Sequence, residues 1–283
     1  MLDFRYHALS LVAVFLALGI GIVLGSSLGD TVVSNANKDI ASSLRGDLLG
    51  ARKDARDAHV GIDQRERLLE AVFPRMAGGQ LTGQTVAVVS SGSLPDDVLS
   101  DVRDAVQGAG GKLGAVAQIQ SPPDLGQLGT TVGPKFAGLR SDDPRLRQLG
   151  RRLGKAVARG DKLERQLQKA FPDRFGGSAS GADAIAFYRD PNADSSAAVK
   201  QLEQGLVEGL RATGKPVVGI EKLSTDPSQI SFYANQGLSS VDDVDSAGGR
   251  IALALALGGA QGNFGYKKSA DSPLPKVATT AGP

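Results

Sequence analysis

Residues 85–97 read TVAVVSSGSLPDD, and this stretch decides the fold. Thr85 to Ser90 is a short run of β-branched and small residues without polar alternation, the pattern of a strand buried on both faces. The small-residue turn Ser90-Ser91-Gly92-Ser93 follows. Asp96 to Val106 then carries apolar residues at helical spacing until Gly108 to Gly111 stops it. Strand, turn and helix in this order open a βαβ unit.

The pattern continues outward. Leu113 to Ile119 is a second strand. Ala184 to Tyr188, a helix from about Ser195 to Ala212, and Pro216 to Ile220 after the turn Thr213-Gly214-Lys215 repeat the order. A short strand near Leu238 to Val241 precedes a helix at Arg250 to Leu257. The alternation predicts an α/β body, a Rossmann-like or flavodoxin-like, mostly parallel sheet covered on both faces. Between its halves, a helical insertion at about 144–171 sets Leu146, Leu149, Leu153, Val157, Leu163 and Leu167 on one face and a crowd of Arg and Lys on the other. That basic face reads either as a contact for anionic lipid, glycan or an acidic partner, or as an ordinary solvated surface.

Ahead of the body lies a different material. Ala8 to Leu28 is an uncharged run of 21 residues, about 31 Å as a helix and long enough to cross a hydrocarbon core once. A signal peptide has a shorter apolar core and a more basic start, so the run reads as an uncleaved anchor in the lipid bilayer, with Gly25-Ser26-Ser27 and Ser34-Asn35-Ala36 as the cleavage sites of the alternative, a removed leader. Arg5 and the amino group ahead of it, with Asp30 as the first charge beyond, place the body outside the cytoplasm. Ala13, Ala17, Gly21, Gly25 and Gly29 recur every four residues, a small-residue stripe that permits close helix approach in lipid. After it, Ile40, Leu44, Leu48 and Ile62 are the largest residues of an amphipathic stalk, with Ala-rich spacing between them. The step from Leu44 to Leu48 breaks strict heptad alternation, and Gly46, Gly50 and Gly61 weaken the helix. Stripe and seam together predict a parallel homo-oligomer, most simply a dimer. The resulting plan is a transmembrane anchor at 1–29, a helical stalk at 30–79, an α/β domain at 80–265 and a flexible tail at 266–283.

The chain has 283 residues, no cysteine and a net charge of +2, and that charge argues against a dedicated nucleic-acid binder. Its two histidines are His7 and His59, so the body from Leu81 onward has neither imidazole nor thiol. Ser-His-Asp and Cys-His catalysis lack their base, and zinc or copper sites lack their preferred ligands. No enzyme, cofactor or metal site is expected. A candidate ligand edge remains at Ser90, Ser91, Gly92, Ser93 and Asp190, where strand ends meet a helix start. It lacks the Lys of a P-loop, helix capping explains Ser93 to Asp97 equally well, and Asp190 before Pro191 reads as a turn residue. The segment SSVDDVDSAGGR at 239–250 offers three carboxylates within four positions, read as helix-start capping rather than a hard-cation loop.

Phe4-Arg5-Tyr6-His7 with the run VAVFLALGIGIVLG ending at Gly25, and SSVDDVDSAGGRIALALAL at 239–257 followed by Asn263-Phe264-Gly265-Tyr266, resemble the actinobacterial family of mycobacterial copper transport protein B (MctB). The likeness spans nearly the whole chain. It implies an envelope protein assigned to copper efflux or homeostasis, described as pore-forming and placed in the outer membrane, with copper as cargo. It supplies no ligand or pore residue. A pore needs a closed barrel or several helices around a polar lumen, and the sequence offers one apolar span, so the resemblance favours part of an export assembly. The alternative is an envelope scaffold that positions a protein partner and binds no metal.

Overall fold

In a computed structural model, which describes residues 4–178 and 181–276 and, within these, the side chains outside 4–5 and 27–40, the stretch Thr85–Ser91 forms strand β1. Further strands are β2 (Lys112–Ile119), β3 (Phe175–Gly176), β4 (Ala184–Arg189), β5 (Val217–Ile220), β6 (Ser239–Val241) and β7 (Asn263–Phe264). They make one sheet in the order β3-β2-β1-β4-β5-β6-β7. Every pairing is parallel except β2 with β3, so the sheet is mostly parallel with an antiparallel edge.

The apolar runs exist because both faces are covered. Val86, Val88, Ala184, Ala186 and Tyr188 point into a core shared with α2 (Asp96–Gly108) and α8 (Ala247–Leu257). Their neighbours Ala87, Val89, Ile185 and Phe187 point the other way, toward α4 (Leu146–Arg159), α5 (Lys162–Ala170) and α6 (Ala197–Arg211). The period of two along each strand thus feeds two cores. Two short helices, α3 (Leu125–Val132) and α7 (Ile230–Asn235), contribute to the second of them. Tyr233 of α7 lays its ring on Gly219 of β5, where an ideal Cβ would come within 2.3 Å of the ring.

The insertion is part of this second layer. Gly160, in the left-handed conformation, separates α4 from α5, and α4 packs on α6 with backbones in contact. An ideal Cβ at Gly150 would stand 2.2 Å from the Leu202 carbonyl oxygen, and one at Gly205 2.1 Å from that of Arg147. Gly154 and Gly209 repeat the arrangement one turn on. Arg147 and Arg151 of the basic face pair with Glu208 of α6.

The chain divides into two units, Met1–Gln64 and Arg65–Pro283. From Phe4 onward the first is helix, part of α1 (Phe4–Met76), and its segment Tyr6–Ser26 is apolar and long enough to cross a membrane. In the second unit, Leu69, Val72, Phe73 and Met76 at the end of α1 pack on the core beneath α2 and α8. Arg250 of α8 reaches Glu70 at 3.4 Å and Asp101 of α2 at 3.7 Å. Beyond Gly265, the described residues are tied to the sheet: Tyr266 and Lys267 bond to Asp242, Asp271 accepts the Asn263 N–H, and Leu274 rests on the core.

Candidate functional site

The loops that follow parallel strands gather at the carboxyl edge of the sheet, and a crevice forms where successive connections leave in opposite directions. Here that place lies between β1, which leads to β2, and β4, which leads to β5. Ser91 of β1 lies opposite Arg189 of β4, so Ser90, Ser91, Gly92, Ser93 and Asp190 are brought together. They meet as partners of one another. The Asp190 carboxylate accepts the Ser93 N–H at 3.0 Å and the Asn192 N–H at 2.9 Å. Gly92, at φ 90°, lets that carboxylate close over the turn, since an ideal Cβ there would come within 2.4 Å of the Asp190 Cβ. The Ser90 hydroxyl donates to the Gly92 carbonyl at 3.2 Å. The backbone N–H that would receive an external anion holds the chain's own carboxylate. Helix capping does not explain Ser93, because the N-cap of α2 is Pro95 with no side-chain bond.

Beneath this turn the Ser91 hydroxyl donates to Glu203 at 2.7 Å, and the Arg189 guanidinium lies 3.1 Å from the same carboxylate. Burial pushes the Glu203 carboxyl up, opposed by the Arg189 charge and the two hydrogen bonds. A serine beside a carboxylate has the spacing of a nucleophile and base, but Ser91 is 3% exposed and Glu203 1%. The pair is sealed. Arg189 also donates to Gln229 and lies 4.8 Å from the Phe232 ring centre.

The ribbon of polar groups continues along the edge. Glu221, directly after β5, is fully buried and accepts from the Ser228 hydroxyl, the Gln229 N–H and Lys267 Nζ at 2.7, 2.5 and 2.5 Å. Asp242, directly after β6, accepts the N–H groups of Tyr266 and Lys267 at 2.8 and 3.1 Å. Of these, Asp242 lay in the acidic segment singled out in the sequence, there read as helix-start capping, whereas Glu221 and Lys267 were not singled out. The available signal was a charged residue at the end of three strands: Arg189 closing β4, Glu221 after β5 and Asp242 after β6.

The acidic segment does cap α8, as its sequence suggests, but through Ser246 rather than through its carboxylates. Ser246 caps the helix through the Gly249 N–H at 2.8 Å, Asp245 accepts the Leu223 N–H, and the Ala247 N–H donates to Glu66 of α1 at 2.7 Å. Asp243 takes the Ser246 hydroxyl on one oxygen, and its other oxygen, Oδ1, is buried without a partner. Among the described residues, no three acidic or imidazole side chains converge as metal ligands.

At the opposite edge, a polar cavity of about 580 Å³ lies between Arg211, Lys215 and the glycine turns at Gly214, Gly237, Gly259 and Gly262. Its cations are engaged with backbone: Arg211 donates to the Gln236 carbonyl, and Lys215 to those of Ala158 and Ala182. The carboxyl ends of α6 and α8, which disfavour an anion, also point here.

In α1, nothing approaches within 4 Å of an ideal Cβ at Gly21 or Gly25, and Ala13 and Ala17 are exposed. Leu44, Leu48 and Ile62 are likewise exposed, by 63%, 51% and 51%, an apolar face without cover. Gly29 and Ile40 lie outside the residues whose side chains are described.

Comparison with known proteins places this architecture. Residues 1–275 match a family model described as "Copper transport outer membrane protein, MctB". Curated relatives named "Copper transporter MctB", from Mycobacterium bovis and two strains of Mycobacterium tuberculosis, are 31% identical over 134 residues. The aligned part covers 42% of this chain and 38% of each relative. With a match running from the apolar helix through the sheet to the segment after β7, the chain belongs to the MctB family of copper transport proteins.

Proposed function

We propose that this chain is a single-pass envelope protein that supports copper efflux as part of an oligomeric assembly, with a non-catalytic body outside the cytoplasm that does not itself ligate copper. The family match carries the copper role, and one observation shapes it: the body from Leu81 onward contains no histidine, cysteine or methionine. Cu(I) prefers thiolate, thioether or imidazole, so cargo must be held elsewhere in the assembly. The order β2-β1-β4-β5-β6, with its reversal between β1 and β4, supports a flavodoxin-type doubly wound fold. In this fold the usual ligand crevice is closed by Asp190, Glu203 and Arg189, which favours an interaction surface over a small-molecule site. The family description supports the outer membrane as its location, and Arg5 before the span supports an extracytoplasmic body.

Two measurements test the proposal. Because the chain has no cysteine, Asp173→Cys supplies a single thiol for an impermeant label on intact cells; labelling only after lysis would place the body inside and refute the topology. A strain lacking the protein should accumulate copper. A second reading, an envelope scaffold with no part in metal handling, is favoured by the closed crevice, and unchanged copper content in that strain would select it.

A further inference from the structure

We infer that residues 44–62 of α1 form a parallel, in-register two-stranded coiled coil with a second copy of this chain, oriented by the pairs Asp47–Arg52 and Asp54–His59 across the interface. The inference rests on the homo-oligomeric reading above and adds its geometry. The break in spacing lies at Ile40-Leu44-Leu48, two successive steps of four. From Leu44 onward, Leu44, Leu48, Ala51, Ala55, Ala58 and Ile62 alternate steps of four and three, the a/d repeat of a left-handed coiled coil. With Leu48 at a, Gly46 and Gly50 fall at f and c, on the outside, and Gly61 falls at g. The glycines therefore loosen the helix without opening the seam.

The exposed apolar side chains of this seam have no cover within the first unit, and its charges say what covers them. Asp47 and Asp54 occupy g; Arg45, Arg52 and His59 occupy e. Parallel strands bring each g residue to the e residue five positions on in the partner, which joins Asp47 to Arg52 and Asp54 to His59. Antiparallel strands bring g to g and e to e, acid against acid and base against base, which the chain would resist. Among the described residues, no salt bridge within the helix engages these four. A second copy carried by the same kind of anchor in the same membrane also enters parallel, so anchor and charge pattern agree. The Ala positions at 51, 55 and 58 bring the two backbones close, which lengthens the reach of the short Asp side chains across the seam.

The test uses the full chain in its membrane, where its lack of cysteine makes introduced thiols unambiguous. Leu48→Cys and Ile62→Cys, at a positions, should each give disulfide-linked dimers on mild oxidation, while Lys53→Cys, at f, should not. Asp47→Arg should lower the yield of Leu48→Cys dimer about threefold, the effect of an exposed pair, and adding Arg52→Asp should restore it. Equal linking at position 53, or no recovery in the charge exchange, overturns the register. A dimer trapped by an amine-reactive cross-linker without linkage at 48 or 62 overturns the seam but leaves the oligomer standing. Monomer under every condition overturns both.

Discussion

At the scale of single residues, Glu203, Glu221, Asp242 and Asp243 gather buried charge at one edge of the sheet, each bound to another part of the chain, with Glu164 of α5 buried apart from them. Glu203 shows why the arrangement is fixed: removing Arg189 would leave a carboxylate at 1% exposure without its counter-charge, a loss typically larger than the pair's own attraction. Glu164 keeps an oxygen without a partner, and so does Asp243, which is bonded through one oxygen only and can be measured. Burial pushes its carboxyl up to about 6, opposed by the Ser246 hydroxyl and reinforced by the charges of Asp242, Asp245 and Glu66. The folded value lies above the ordinary 3.8, so this group's contribution to stability is complete below that value and is lost as pH rises through about 6. At about 1.4 kcal/mol for each pH unit between the two values, the loss approaches about 3 kcal/mol. Asp243→Asn should remove this fall. Denaturant unfolding of the detergent-solubilised protein should find the variant gaining on the native protein between about pH 4 and pH 7; a constant difference over that range would mean the Asp243 carboxyl does not titrate there.

At the scale of elements, glycine has opposite meanings in two helical settings. In the first unit an added Cβ at Gly46 or Gly50 meets nothing within 4 Å, so alanine there should stabilise the helix by about 1 kcal/mol each. In α4 the same change at Gly150 or Gly154 drives a Cβ to within 2.2 or 2.3 Å of a carbonyl oxygen of α6. Helix propensity favours alanine there too, but no rotamer relieves a clash between backbones, and the layer must separate at a cost of about 3 kcal/mol or more. Thermal melts followed by circular dichroism should move in opposite directions for the two sets. The sequence legibly contained the strands that became β1, β2, β4, β5 and β6: burial on both faces writes nearly unbroken apolar runs into β1, β4 and β5, while β2 and the short β6 were read from their place in the strand–helix alternation. It did not reveal β3 and β7, whose two residues apiece carry no period. Nor did it reveal the polar edge, where Glu221 meets Lys267 46 positions later and Arg189 meets Gln229 40 positions later. The small-residue spacing was read in the membrane run, where Gly21 and Gly25 meet nothing within 4 Å, while the same spacing passed unread at Gly150-Gly154 in the helical insertion and at Gly205-Gly209 in the helix after β4, where the two helix backbones meet.

At the scale of the whole molecule, the end of α1 belongs to the sheet rather than to the helix ahead of it. Residues 65–76 supply Leu69, Val72, Phe73 and Met76 to the core under α2 and α8, the Glu66 carboxylate to the Ala247 N–H at the start of α8, and Glu70 to Arg250. A carboxylate at a helix start satisfies an otherwise unpaired N–H and opposes the positive end of the helix dipole, worth about 1 kcal/mol. The apolar contacts add about 1.5–3 kcal/mol for each side chain fully withdrawn from water, and less for these partly buried ones. Phe73 is also held at Gly108, where an ideal Cβ would come within 2.8 Å of its ring, so α2 is shaped to receive it. A fragment that starts at Arg65 should therefore melt cooperatively and bind little of a dye specific for exposed apolar surface. One that starts at Leu81 should melt several degrees lower and bind the dye, since several kcal/mol of contacts are gone and each kcal/mol moves the midpoint by about 2–4 °C in a domain of this size. Glu66→Gln in the longer fragment separates the two contributions, removing the charge at the α8 start while leaving the apolar contacts, and its shift should be the smaller. Equal melting of the two fragments would show that residues 65–76 are dispensable to the sheet. Copper-binding measurements on the isolated body therefore belong on the fragment beginning at Arg65, which keeps the Glu66 and Glu70 contacts and the apolar cover that the shorter one lacks.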